Sequence, residues 1–146
     1  MALFLASDHG GFELKEEIKK YLDTNKIDYK DLGTNTSESV DYPDYAKKVA
    51  DEINNADGEG KGILVCGTGI GISIAANKFR GIRAALCGDS FSAKMSRLHN
   101  NANILVLGGR VTGSALGVEI VDIWLNTPFE GGRHQKRLDK ITAFEN

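Results

Sequence analysis

Short apolar runs alternate with amphipathic stretches five times along the 146 residues, and that rhythm constrains the fold more than any other feature. Ala2–Ser7 (ALFLAS) reads as a buried strand, Asp28–Leu32 as a weaker one, and Gly62–Val65, Ile82–Leu86 and Ile104–Leu107 as three more. Between them, helical spacing of apolar residues marks Phe12–Leu22, a stretch from Asp41 to about Asn55, Ile72–Lys78, Ser90–Leu98 and Ser114–Leu125. Asp41 is the expected N-cap of the second helix, which ends before a turn at Gly58 and Gly60. The charged cluster Lys15–Lys20 reads as a solvated helix face, with Glu16 and Lys20 spaced to pair. A polar helix over Gly131–Asp139 closes the chain. Strands that alternate with helices in this way form a parallel sheet covered on both faces, an α/β fold. With no internal repeat and no linker-like segment, residues 1–146 are expected to form a single domain.

Charge narrows the function. Eighteen Lys and Arg against 20 Asp and Glu leave a net charge of −2, without the basic excess of a nucleic-acid or anionic-membrane binder. Cys66 and Cys87 are too few for a disulfide framework or a zinc site. The apolar start of the chain is too short for a signal or membrane segment. The expectation is a cytoplasmic protein acting on a small molecule, one that a few arginines can hold if it is an anion.

The chain carries 17 glycines against 2 prolines, where average usage of about 7% would place roughly 10. Nine fall in four clusters, Gly10-Gly11, Gly67/Gly69/Gly71, Gly108-Gly109 and Gly131-Gly132, and the first three clusters follow expected strands directly. Ligands of open parallel sheets bind beyond the carboxyl ends of the strands. Glycine there lets backbone N–H groups approach an anion, although strand-to-helix turns also use glycine for their own geometry. All three histidines adjoin these segments or a helix end: Asp8-His9, His99-Asn100-Asn101 and Arg133-His134. The expectation is that they share one rim.

Cys66 ends the third strand ahead of Gly67-Thr68-Gly69-Ile70-Gly71. Amides at a helix start favour a thiolate, which can act as nucleophile or proton acceptor; the alternative is a small buried hydrophobe. The glycine loop lacks the third glycine of a dinucleotide fingerprint, because position 72 is Ile, although Asp89 lies where a ribose-binding carboxylate would fall. It is better suited to a small anion or to an oxygen that becomes negative during reaction. Arg133 and Arg137, one helical turn apart behind Gly131-Gly132, suit a phosphate; a solvated basic face is the alternative.

SDHGGFELK at 7–15, VDYPDYA at 40–46, CGTGIGISIAANK at 66–78, HNNANILVLGGR at 99–110 and GGRHQKR at 131–137 together resemble the ribose-5-phosphate isomerase B family, which includes galactose-6-phosphate isomerases. The resemblance runs in order along nearly the whole chain. It implies a three-layer α/β/α sandwich with a five-stranded parallel sheet, Rossmann-like, working as a homodimer, with a tetramer as the alternative. Sites would lie at the subunit interface, with no metal and no organic cofactor. It further implies Cys66 as the base moving a proton between C1 and C2 of an open-chain sugar phosphate, and His99 as the group that opens the ring, with Thr68 assisting. Asp8 and His9 would contact substrate. Gly67, Gly69, Ile70, Gly71 and Asn100 would stabilise the enediolate oxygen, and Arg110, Arg133 and Arg137, helped by His9, would hold the phosphate. A second branch of the family replaces the cysteine with a glutamate in the glycine loop; no acidic residue lies between Cys66 and Lys78 here, which implies the cysteine branch. The implied reaction is the interconversion of ribose 5-phosphate and ribulose 5-phosphate. Two readings stand beside it: galactose 6-phosphate or another aldose phosphate as substrate, or a non-catalytic nucleotide- or phosphate-binding α/β module.

Overall fold

The computed structural model describes every residue except Gly58 and Asn146. Gly58, expected in the turn before the third strand, therefore lies outside the described residues. Five strands, β1 (Ala2–Ser7), β2 (Lys30–Asp31), β3 (Gly60–Cys66), β4 (Ala84–Leu86) and β5 (Ile104–Gly108), form one all-parallel sheet in the order β2-β1-β3-β5-β4. Six helices accompany them among the described residues: α1 (Phe12–Thr24), α2 (Tyr42–Asn55), α3 (Ile70–Ala76), α4 (Ser90–Leu98), α5 (Ser114–Asn126) and α6 (Arg133–Ala143).

The continuous apolar runs follow from burial on both faces. Leu3, Leu5, Ile63, Val65, Leu105 and Leu107 point into a core shared with Leu14 and Ile18 of α1 and Ile120 and Trp124 of α5. Their sequence neighbours Phe4, Ala6, Leu64, Cys66, Ile104 and Val106 point the other way, onto Val49 and Ile53 of α2 and Ile72 of α3. Each fully buried Leu or Ile contributes about 1.5–3 kcal/mol.

The expected element boundaries shift by a few residues. Glycine-loop backbone enters α3 two residues early, at Ile70, and β2 shortens to two residues. Asp41 does occupy the N-cap position of α2, but its side chain makes no capping hydrogen bond. The charged face of α1 is not wholly solvated. Lys15 is 1% exposed, and its ammonium donates to Asp31 Oδ1 and to the Thr34 carbonyl, both at 2.7 Å. Glu16 pairs with Lys19 rather than Lys20, and Glu17 takes Lys20 instead. Lys15 therefore fastens the segment after β2 onto α1.

The chain leaves β1 toward β2 on one side and leaves β3 toward β4 and β5 on the other. The reversal opens a crevice above the carboxyl ends of β1 and β3, where open α/β sheets take their ligands. Ser7 pairs with Val65 in the last register step, so Asp8 and Cys66 emerge side by side at its floor. No helix among the described residues is long and apolar enough to cross a membrane.

Candidate active site

Three glycine-bearing loops meet at this crevice. Cys66 is 4% exposed, and its Sγ accepts the Gly69 amide N–H at 3.1 Å. Gly69 sits at φ +81°, and this left-handed turn, cheap only for glycine, brings its amide back to the sulfur. Thr68 Oγ1 accepts from the Ile70 amide at 3.2 Å, which fixes the exposed tip of the loop. On the β1 side, Asp8 Oδ1 accepts from the Gly11 amide at 3.1 Å. His9 Nδ1 accepts from the Val40 amide at 3.2 Å, leaving Nε2 as its donor. From β5, the Arg110 amide donates to the Gly67 carbonyl at 2.9 Å, and the Arg110 side chain runs past Gly67.

Close packing explains these glycines. A Cβ on Gly11 would stand 2.4 Å from the Val65 carbonyl oxygen, and one on Gly108 would stand 2.5 Å from that of Thr68. A Cβ on Gly109 would come within 2.8 Å of the Gly10 carbonyl. The clusters let three loops lie directly on one another, so at these positions glycine makes room for protein backbone. At Gly71 the neighbour is a side chain: a Cβ would meet the Tyr42 ring at 2.5 Å. Sequence reasoning treated Tyr42 only as a helix start. Its place within the VDYPDYA motif was the available signal for a rim residue.

The remaining expected site residues lie elsewhere. His99 and Asn100 follow α4 and precede β5, and the adjoining Asn103 carbonyl accepts from Gly62, near the amino end of β3. In a parallel sheet that is the edge opposite Cys66. From Ile104 to Gly108 the strand alone rises roughly 13 Å. Arg133, His134 and Arg137 on α6 belong to the same far end, tied there by the Glu130 amide donating to the Leu98 carbonyl at 3.0 Å. The expectation of one rim for the three histidines is corrected: His9 lies at the carboxyl edge and His99 and His134 at the amino edge. Helix-to-strand loops fall at the far edge, and chain order alone does not reveal this.

His99 and His134 stack, with ring centroids 4.1 Å apart and planes 14° from parallel. His134 is 5% exposed. Burial, reinforced by the His99 charge and only partly offset by Glu130, holds its pKa below the ordinary histidine value. A groove of about 660 Å³ opens beside this cluster, lined among others by Arg83, Asn100, Leu138, Ile141 and Phe144.

Two other sequence signals resolve into structure. Asp89 caps α4, its Oδ1 accepting from the Ser92 amide at 2.7 Å, so it does not serve as a ribose-binding carboxylate. Burial pushes the Cys87 thiol up to about 11, which keeps it a neutral core side chain.

A doubly wound sheet with a thiol, a carboxylate, an imidazole and clustered amides at its switch point defines an α/β enzyme equipped for proton transfer beside a developing oxyanion. The sequence profile of the family described as Ribose/Galactose Isomerase matches residues 3–141. The ribose-5-phosphate isomerase B of Escherichia coli K12 is 52% identical over 138 residues, covering 94% of this chain and 92% of that one. Among solved structures, ribose-5-phosphate isomerase B of Clostridium thermocellum superposes with a TM-score of 0.96 at 52% identity, covering 99% and 97% of the two chains. That of Mycoplasma genitalium, solved with bound ribulose-5-phosphate, gives 0.95 at 44% identity, covering 99% and 95%. The chain belongs to the ribose/galactose isomerase family and is an aldose–ketose isomerase. The nucleotide-binding reading is thereby set aside.

Proposed function

We propose that this chain interconverts ribose 5-phosphate and ribulose 5-phosphate, in sites that each combine the carboxyl edge of one copy with the amino edge of another. The observation that carries the chemistry is the Cys66 sulfur held by the Gly69 amide in a crevice shared with Asp8 and His9. One base next to a ring of amides is what an enediolate mechanism needs. Cys66 takes the C2 proton of the open-chain aldose, and the amides of the Gly67–Gly71 loop and Asn100 receive the negative O1. The hydroxyl proton of O2 passes to O1, and the proton held by Cys66 returns at C1 as C2=O forms. The electron pair stays within the sugar, so no cofactor is needed.

Two copies are invoked because His99, Asn100, Arg133 and Arg137 stand too far from Cys66 to act in the same chain. Apolar side chains border the Cys66 half: Leu86 lies against Gly69, and Ile70 and Ile74, 56% and 58% exposed, follow one turn apart. Such a face suits a second copy of the same chain in a two-fold dimer. In the assembled site His99 opens the furanose ring with Thr68 nearby, while Arg110, Arg133, Arg137 and His9 hold the phosphate. Binding the phosphate, remote from the reacting carbons, positions the sugar. Both cysteines are free thiols and the substrate is a charged metabolite, which supports a cytoplasmic setting.

A six-carbon aldose phosphate is the second reading, favoured by a family description that covers galactose as well as ribose isomerases. A coupled ketose assay over a panel of aldose phosphates separates the two. Ribose 5-phosphate is expected to give the highest kcat/KM, and Cys66→Ala to abolish turnover while substrate still binds. Near wild-type turnover in Cys66→Ala would overturn the assignment of the base.

A further inference from the structure

Glu130 carries no role in the reaction described so far, yet it faces both stacked imidazoles. Its Oε2 lies 3.9 Å from His99 Nε2 and 3.8 Å from His134 Nε2. These separations exceed hydrogen-bond length but are those of an ion pair once an imidazole is protonated.

The backbone under this trio is stapled. The Glu130 amide donates to the carbonyl of Leu98, the residue before His99. Arg97, 5% exposed, donates from Nε to the Thr127 carbonyl at 3.2 Å and from Nη1 to the Ala102 carbonyl at 2.8 Å. One guanidinium thus holds the turn after α4 and the segment leading to Glu130 at a set spacing. His134 backs the His99 ring, and its buried Nε2 has no hydrogen-bond partner among the described residues. Glu130 lies four residues before His134, across the Gly131-Gly132 turn that leads into α6, so one short segment carries both the carboxylate and the backing ring.

The three donor atoms lie within 4.8 Å of one another, as in some metal sites. Each imidazole lone pair lies in its own ring plane, however, and the two planes are stacked almost in parallel. The lone pairs do not converge on a shared ion, and a metal would require one ring to rotate out of the stack.

We infer that Glu130 is a positioning residue for ring opening: its carboxylate, with His134 behind the ring, orients the His99 imidazole and stabilises the imidazolium formed in that step. This rests on the isomerase reading and on His99 as the ring-opening group. His99 takes the proton of the C1 hydroxyl, C1=O forms as the bond from C1 to the ring oxygen breaks, and the same proton passes to that oxygen. The charge on His99 is transient, and a half-exposed carboxylate 3.9 Å away, carried on a stapled backbone, lowers the cost of carrying it. Burial, with His99 and the α6 arginines, lowers the His134 pKa against the opposing pull of Glu130, which favours the proton on His99.

The test separates ring opening from enolisation. Ribulose 5-phosphate cannot close to a furanose, because its C5 oxygen carries the phosphate, so solvent-deuterium exchange at its C1 needs the base but no ring opening. In the full-length protein, Glu130→Gln is expected to lower kcat on ribose 5-phosphate about 10- to 100-fold, with KM little changed and the exchange rate retained. Glu130→Asp should recover part of the loss. An unchanged forward kcat, or an equal fall in forward turnover and exchange, would overturn the proposal. If Glu130→Gln does not fold, Glu130→Asp and His134→Asn are read by the same pair of assays against the same outcomes. A wild-type protein inactive in both assays would refute the isomerase reading instead.

Discussion

Cys66 closes β3 at the carboxyl edge of the sheet, and His99 caps α4 at the opposite edge, so the expected base and the expected ring-opening group do not meet within one chain. Direct pairing of Cys66 with Gly108, four residues beyond the Ile104 start of β5, sets the span between them.

That separation predicts complementation. Cys66→Ala and His99→Asn should each be nearly inactive alone. Unfolded together and refolded, they should recover about a quarter of wild-type activity, since half of the random dimers are mixed and each carries one intact site of two. Recovery of no activity from well-folded mixed dimers would place both groups in one chain's site.

The phosphate assignment predicts a selective kinetic defect. Replacing Arg133 or Arg137 by Met should raise KM for the sugar phosphate about 10- to 100-fold, the worth of one charged hydrogen-bonding partner. Turnover at saturation should change much less. Steady-state kinetics with ribose 5-phosphate decides this, and an unchanged KM for both variants would remove the clamp.

Gly108→Ala tests the packing of the loops. Its Cβ would press on the Thr68 carbonyl at 2.5 Å, and neither backbone can yield cheaply. Stability should fall by about 2 kcal/mol, measured by urea unfolding. Turnover should drop further than stability explains, because the displaced loop carries the amides around Cys66. A fully active Gly108→Ala enzyme would show that loop position is not critical.

Lys15 and Asp31 yield a prediction about acid stability. Burial works to raise the Asp31 carboxyl, but the ammonium groups of Lys15 and Lys19 and the Gly33 amide more than offset it, leaving the pKa below the ordinary value. A carboxyl lowered by folding contributes stability that is present above the unfolded value near 3.9 and lost as pH falls through the folded one. Lys15→Met should cost about 2 kcal/mol at pH 7, since it removes one of the two ammonium partners of the part-buried Asp31 carboxylate and the donor to the Thr34 carbonyl. It should also flatten the loss of stability below about pH 4. Urea midpoints of both proteins across that range test the sign, and an unaltered acid slope would show that Asp31 is not the group responsible.

Much of the fold was legible in the residues themselves. Apolar runs flanked by amphipathic stretches record strands buried on both faces, a local pattern that needs no knowledge of strand order. The Cys66–Gly71 segment and the Asp8-His9 pair were legible as site elements because strand-to-helix loops necessarily gather at the carboxyl edge. The buried role of Lys15 was not, since helical spacing shows which face a residue occupies but not that a partner 16 residues on waits beneath it.

By itself, then, the sequence determined the parallel α/β architecture, the family, and the residue types that bear the chemistry. Tertiary structure alone decided their sides: β5 lies inside β4, and the turn bearing His99, with the α6 residues tied beside it, falls on the edge opposite Cys66. The reason is physical. Hydrophobic period and turn chemistry act over a few residues, whereas the edge a loop occupies depends on which way its neighbouring strands run, and that is set by the sheet as a whole.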